Sequence, residues 1–352
     1  NNYYNKELIL LKKAISLILS LTIIICTGCR NNSSNTDNFE ANTVKIVDQA
    51  NRTVVLPKNI NRVISCYYTV TSTIIALGQK DKLVGIEMNA NKRKIDQKSA
   101  PELLDLPSIG NSKTINIETC ASLNSDVIII PDRLTNMIDQ LELAGLNVVV
   151  VSPENDSKLL EMFDLLGNIL GGTAADTSKK LISYYKEQLN FINSLNFNTI
   201  PSVYITGNSS YLTTASSDMF QTRLISLSGG KSVSNELQGE YWVNVTSEQV
   251  ALWNPEFIFM PNGKSFAESD LKSDVGLKNT TALKNYNVYE FPSDIESWDY
   301  PTPSVILGVL WLTSKLHEDL ISSQSVIDKA KCFYKTFYNI DVTDEEIGYG
   351  IE

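Results

Sequence analysis

Residues 248–261 read EQVALWNPEFIFMP, and residues 118–131 read ETCASLNSDVIIIP. Glu248 aligns with Glu118, Ala251 with Ala121, Asn254 with Asn124 and Pro261 with Pro131, while Glu256 stands opposite Asp126. Each copy reads as a helix end, a polar turn and an apolar strand. A chain that writes one unit twice is expected to hold two like halves. At 352 residues with 43% hydrophobic content there is material for two cores.

The surroundings of the two copies are alike. Before the first, VKIVDQANRTVVLP reads as two short strands about a polar turn, RVISCYY (62–68) as a buried strand running into a loop, TSTIIALG as a helix closed by Gly78, and LVGIEM as a strand. MIDQLELAGL and NVVVVSP then add a helix and a strand. Around the second copy, PSVYITG reads as a strand, MFQTRLISLSGG as a helix, NVYEFPSD as a strand, and VILGVLWLTSKLHEDL and about 325–338 as helices. Between the halves, TAADTSKKLISYYKEQLNFINSLN (173–196) places Leu181, Ile182, Tyr185, Leu189 and Ile192 at helical spacing. This predicts one helix of about 20 residues, roughly 30 Å long. The expected fold is α/β: two similar lobes, each with a mostly parallel sheet, joined by one long helix. Ligands of open α/β sheets collect at the carboxyl ends of the strands, so the expected site is the cleft between the lobes.

The ends differ in texture. Lys6, Lys12 and Lys13 precede the apolar run Ala14 to Ile25, which has the pattern of a secretory signal and is too short to favour a membrane span of about 20 residues. Thr27 and Gly28 before Cys29, followed by RNNSSNTDN, resemble a bacterial lipobox with cleavage and lipidation at Cys29; Cys26 stands where such boxes usually carry Leu. The expected organisation is a lipoprotein signal (1–28), a disordered tether (29–43), an N-terminal lobe (44–172), the connecting helix (173–197), a C-terminal lobe (198–340) and an acidic tail (341–352).

Composition excludes several functions. The net charge of −10 leaves no basic stripe for nucleic acid. Beyond Cys26 and Cys29, only Cys66, Cys120 and Cys332 remain, an odd number that makes no complete disulfide framework. The single histidine, His317, rules out a histidine metal cage, and it is expected at a partly exposed helix position. LSGGKS lacks the earlier glycine of a phosphate loop, whose place is taken by Ile225, and no strand-to-helix nucleophile or dinucleotide motif occurs, so no enzyme is expected.

With VDQANRTVVLPKNINRVIS, ALGQKDKLVGI, NIETCASLNSDVIII, LISLSGGKSV and VTSEQVALWNPEFIFM in this order, the chain resembles the solute-binding lipoproteins of ABC importers of the helical-backbone class. These serve ferric siderophores, haem and cobalamin; some relatives carry molybdate. The resemblance spans about 44–338. It implies a monomeric extracytoplasmic receptor, held to the membrane by its lipid, that delivers ligand to a permease dimer with its ATPase and has no intrinsic cofactor. It also implies an acidic docking residue on each lobe, at Glu118 and Glu248. Many members carry a further Glu after Thr in the helix following the first lobe strand; here Ser72 follows Thr71.

The loops expected at the cleft are aromatic: Tyr67 and Tyr68, Tyr211, Tyr241 and Trp242, and Trp298 and Tyr300 in IESWDYPTP. Such rings can stack on a flat or extended ligand and offer polar edges. Glu87, Arg133 and Asp299 are the charged candidates; Lys92, Arg93 and Lys94 read instead as wetted surface, and Cys66 lies where ligand can reach it. The expected ligand is a ferric siderophore or corrinoid, with haem next and a small oxyanion such as molybdate as the alternative. A cofactor-assembly enzyme on the same two-lobe scaffold would need cysteine or histidine ligands between the lobes, of which Cys66 is the one in place. A surface adhesion or sensor module is a third reading.

Overall fold

A computed structural model describes residues 42–111, 113–239 and 241–348. The expected signal segment, Cys29 and the tether up to residue 41 lie outside the described residues, as do residues 349–352. Strands β1 (Thr43–Val47) and β2 (Thr53–Pro57) flank a turn in which Asn51 takes the left-handed conformation (φ 59°). Asp48 Oδ1 accepts the backbone N–H groups of Ala50 and Arg52 at 3.0 and 2.9 Å, an Asx-type closure.

The first lobe runs through β3 (Val63–Ser65), α1 (Tyr68–Ala76), β4 (Leu83–Gly85), α2 (Lys94–Ser99), α3 (Ile117–Ser122), β5 (Val127–Pro131), α4 (Ile138–Leu143), β6 (Val148–Val151) and α5 (Asp156–Leu170). Its four strands are parallel in the order β4-β3-β5-β6. β5 and β6 are buried along their whole length, so their sequences are continuous β-branched runs without alternation.

After α6 (Thr173–Asn193), the second lobe comprises β7 (Ser202–Ile205), β8 (Thr213–Ala215), α7 (Phe220–Leu227), β9 (Lys231–Ser232), β10 (Trp242–Asn244), α8 (Ser247–Trp253), β11 (Phe257–Met260), α9 (Glu268–Ser273), α10 (Thr281–Lys284) and β12 (Val288–Glu290). It ends in α11 (Val305–Leu316), α12 (Ser323–Tyr338) and α13 (Asp344–Ile347), the last within the expected acidic tail. Its parallel sheet is ordered β12-β11-β7-β9, and β8 pairs antiparallel with β10 beside it. Numbered along the chain within each lobe, the main strands follow one spatial order, 2-1-3-4, in both sheets.

The repeated sequence serves the same local purpose in each lobe. Asn116 Oδ1 caps α3 by accepting the Thr119 N–H (3.0 Å), and Thr246 Oγ1 caps α8 by accepting that of Gln249 (3.2 Å). Asn124 and Asn254 then turn the chain at φ 47° and 45°, a conformation asparagine tolerates better than most residues. Asp126 accepts the N–H groups of Asn61 and Arg62 at the entry to β3 (2.7 and 2.9 Å), and Glu256 accepts the N–H of Ser202 at the start of β7 (2.8 Å). Each carboxylate thus ties the third strand of its sheet to the first.

The predicted strut is present: α6 has 21 residues and buries Leu181, Tyr185 and Ile192. It lies so close to α5 that a Cβ on Gly167 would sit 2.5 Å from that of Ser178, whose hydroxyl donates to Phe163 O at 2.7 Å. The strut is not the sole brace. One apolar core continues through both lobes, and every residue of α11 except Lys315 is buried in it, which explains a helix that is hydrophobic all round. α12 reaches α1 of the other lobe, with Tyr338 OH 2.7 Å from Ser72 Oγ. Among the described residues no helix is long and apolar enough to cross a membrane.

His317 departs from expectation. It is buried, stacked on Phe197 with centroids 4.3 Å apart, and its Nε2 is 3.2 Å from Gly229 O. It stands at the end of α11 with φ −142°, outside the helix, so helical spacing says nothing of its exposure.

Candidate functional site

A cavity of about 610 Å³ lies where the strand ends of the two sheets face each other. Cys66, Tyr67 and Tyr68 follow β3, residues 87–89 and 92–95 follow β4, Asn262 follows β11, and residues 293–297 with Tyr300 follow β12. Parallel strands release their chains into loops at this edge, and the unpaired backbone and variable side chains there can meet a ligand.

Tyr67 and Tyr68 meet edge to face with centroids 4.8 Å apart, and Tyr68 continues to Tyr300 of the other lobe at 5.6 Å. Asn208 Nδ2 donates to Tyr300 OH at 2.9 Å, which fixes the far ring. A row of rings therefore bridges the lobes along the cavity wall. Burial raises the tyrosine pKa values, so the phenols stay neutral donors.

Beside the rings lies a buried carboxylate group. Glu87 Oε2 accepts the Thr71 hydroxyl at 2.6 Å, and its other oxygen meets the guanidinium of Arg93. Arg93 Nε also donates to Asp96 Oδ2 at 2.7 Å, so this cation is held by two carboxylates of its own lobe. Burial lifts the Asp96 pKa to about 7; Arg93 lowers it in part, and Glu87 and Glu296 add to the rise. Burial raises the Glu296 pKa as well, and hydrogen bonds to its two oxygens, from Ser304 at 2.6 Å and from Ser72 at 2.7 Å, lower it in part.

Of the residues expected to face ligand, Tyr67, Tyr68, Tyr300 and Glu87 line the cavity, as does Cys66. Burial pushes the Cys66 thiol well above its ordinary value, which makes it a small apolar wall atom and not a nucleophile. The others are elsewhere. Arg133 does not border the cavity; its guanidinium lies over the Tyr67 ring, 4.8 Å from the centroid, a cation–π contact. Tyr211 packs against Phe266, and its hydroxyl donates to Asp274 at 3.2 Å. Tyr241 and Trp242 are exposed on the β10 side, where antiparallel pairing with β8 carries them away from the cleft. Trp298 is fully buried and donates from Nε1 to Tyr334 OH at 2.9 Å. Asp299, at 1% exposure, turns inward beside Ser297, with its pKa pushed by burial to about 6.

The stretch set aside as wetted surface contributes directly, since Lys92, Arg93 and Lys94 all line the cavity. The signal was positional: they follow a parallel strand, as Glu87 does. Glu296 and Asn262 carried no such mark beyond standing after later strands. Glu118 and Glu248 are both exposed, each in the first turn of its repeated helix. Among the described residues no group of three His, Cys, Asp or Glu side chains is placed to hold a metal ion.

Comparison with known proteins agrees with this geometry. Residues 63–295 match the periplasmic binding protein family. The chain is 24% identical over 340 residues to the molybdate-binding protein MolA of Haemophilus influenzae, covering 84% of this chain and 92% of that protein. It is 24% identical over 309 residues to the Fe(3+)-citrate-binding protein YfmC of Bacillus subtilis, covering 84% and 92%. A periplasmic solute binding protein from Veillonella parvula superposes with a TM-score of 0.74 at 27% identity, covering 88% of this chain and 96% of that one. The matched segment runs from β3 into the loop after β12 and so contains both parallel sheets and most of the cavity wall: the chain belongs to the periplasmic binding protein family, as a substrate-binding transport component and not an enzyme.

Proposed function

We propose that this protein captures a metal chelate, a ferric siderophore or a corrinoid with haem as the next choice, in the cavity between its lobes and delivers it to an ABC permease. The observation that carries the reading is the cavity itself: about 610 Å³, ring-lined and walled by both lobes, it lies within the range of small-molecule sites of about 300–1,000 Å³. A tetrahedral oxyanion would leave most of it empty. Molybdate is the second reading, favoured by Lys92, an exposed cation with no ion pair among the described residues.

The receptor acts outside the cytoplasmic membrane as a monomer held by lipid on Cys29. The permease dimer engages Glu118 and Glu248, which stand at equivalent, capped helix starts, so similar handles meet a two-fold partner. Because the core is shared as well as the strut, lobe movement on binding is small. Thermal unfolding of the mature chain tests the reading: ferric siderophore, cobalamin, haem and molybdate are added in turn, and a ligand at 100 times its Kd adds about 2.7 kcal/mol. A saturable rise in Tm with a chelate supports it. A rise with molybdate alone gives the site to the oxyanion, and a rise with none sinks the carrier reading.

A further inference from the structure

Helix α2 shows two faces to two lobes. Arg93, just before it, and Asp96, in its first turn, are bonded within their own lobe: the guanidinium meets Glu87 after β4 and lies 2.6 Å from Asp96 Oδ2. Lys80 of the same lobe donates from Nζ to Ser99 O at 2.9 Å. Lys94, Ile95 and Lys98 stand at helical spacing on another face, and each of them is bonded to the second lobe. Lys94 Nζ is 2.7 Å from Asp294 Oδ2, the Ile95 N–H donates to Ile295 O at 2.9 Å, and Lys98 Nζ lies 2.6 Å from Glu346 Oε1 and 3.2 Å from Asp341 O. The receiving surface is itself tied together. The Asp294 N–H donates to Glu346 O at 3.0 Å, and Lys331 and Lys335 of α12 pair with Asp344 and Asp341. Residues 341–347, expected as part of an acidic tail, are thus a built seat for α2. Because Lys94, Ile95, Asp294 and Ile295 all line the cavity, this seam between the lobes is one of its walls.

We propose that α2 is a clasp on the cavity: the wall opens where Lys94, Ile95 and Lys98 part from the second lobe, and α13 with the loop after β12 is the seat on which it closes. This deepens the carrier reading and rests on it for what passes through the opening. Ion pairs as exposed as these are individually weak, so the seam parts without unfolding either lobe. Ile95, fully buried in the closed form, makes the open form the minor one. The α6 strut and the shared core stay intact throughout, so a local parting lets ligand through while the lobes barely move. Arg93 and Asp96 keep α2 on its own lobe as the seam opens.

Cysteine labelling reads the opening directly. Cys66 lines the cavity yet is fully buried, Cys120 is buried and does not line it, and Cys332 is exposed. The full chain is treated with N-ethylmaleimide, and peptide mass spectrometry follows each cysteine separately. Where reclosing outpaces labelling, the Cys66 rate is proportional to the open fraction. Lys98 lies outside the cavity lining, and Lys98→Met removes its bonds to Glu346 and Asp341. Labelling of Cys66 is expected to quicken about three- to fivefold in this variant and about tenfold when Asp294→Asn is added, with Cys120 and Cys332 within about 1.5-fold of wild type. Amide exchange in residues 93–99 should quicken in step. Lys98→Arg keeps the charge and the donors and should label as the wild type does. Wild-type rates at Cys66 in both variants, or no labelling of Cys66 in any protein, put the opening elsewhere and overturn the proposal. An equal acceleration of Cys120 overturns it too, since the event would then be a loosening of the whole lobe. The measurement uses no ligand, so either failure leaves the carrier reading standing, and that reading falls only with the thermal titration.

Discussion

Ser72 and Glu296 are joined by a hydrogen bond of 2.7 Å across 224 positions of sequence, and that bond crosses from one lobe to the other. Ser72 stands in α1, and the same hydroxyl lies 2.7 Å from Tyr338 OH. Ser72 is thus part of a buried interlobe tie. Replacing Ser72 by Ala leaves Glu296 Oε1 and the Tyr338 phenol without this partner. The variant is expected to lose about 1–3 kcal/mol in urea unfolding with an unchanged m value. A loss below about 0.5 kcal/mol would show that water replaces the hydroxyl and that the tie is not structural.

Asp96 makes stability depend on pH. Its folded pKa, about 7, lies above the ordinary 3.8 because it is buried, with Arg93 lowering it in part and Glu87 and Glu296 raising it. Between these values the folded chain holds a proton that the unfolded chain has released, so this group's contribution is greatest at low pH and falls as pH rises toward 7. From pH 5 to pH 8 the wild type should lose about 1–3 kcal/mol relative to Asp96→Asn. Parallel stability curves for the two proteins across that interval would refute this.

Trp298 is a core residue, and substitutions there should act on stability and spare the ligand. Trp298→Phe removes the indole donor to the Tyr334 hydroxyl and part of the buried ring volume, and is expected to cost about 1–3 kcal/mol. Gly308→Ala would place a Cβ 2.1 Å from the Trp298 carbonyl oxygen, and the forced shift of α11 should cost about 1–3 kcal/mol or more. Chelate affinity measured below the unfolding transition should change less than about threefold in Trp298→Phe; a larger change would put the indole in the site.

Glu118→Gln and Glu248→Gln should leave folding intact, within about 0.5 kcal/mol, because both side chains are exposed. Ligand affinity should be unchanged as well. Uptake through the reconstituted importer should fall in each single variant and further in the double one. Full uptake by the double variant would assign these acids to helix starts alone, where the macrodipole favours them by about 0.3–1 kcal/mol.

How far the sequence could be read depended on the range of the interaction. The repeat, the strut and the strand runs rest on local periodicity and capping, and Asn116, Thr246, Asn124 and Asn254 announce their turns by chemistry alone. The site was legible where a residue directly follows a parallel strand, as with Tyr67, Tyr68 and Glu87. It was illegible where orientation decides. Trp298 and Tyr300 are two residues apart in one loop, yet one is sealed in the core and the other faces the cavity. Arg133 has the right place in sequence, yet it packs over the Tyr67 ring and does not line the cavity.

The order of residues by itself determined two like α/β halves, the rod between them and the edge of the sheets where a ligand must enter, because hydrophobic period and turn chemistry act within a few residues. Tertiary structure alone decided which charges pair. Arg93 finds Glu87 and Asp96 only once its own lobe has folded, and Lys94 finds Asp294 only once both lobes stand together. Electrostatic compensation depends on distance in space, which no local pattern encodes.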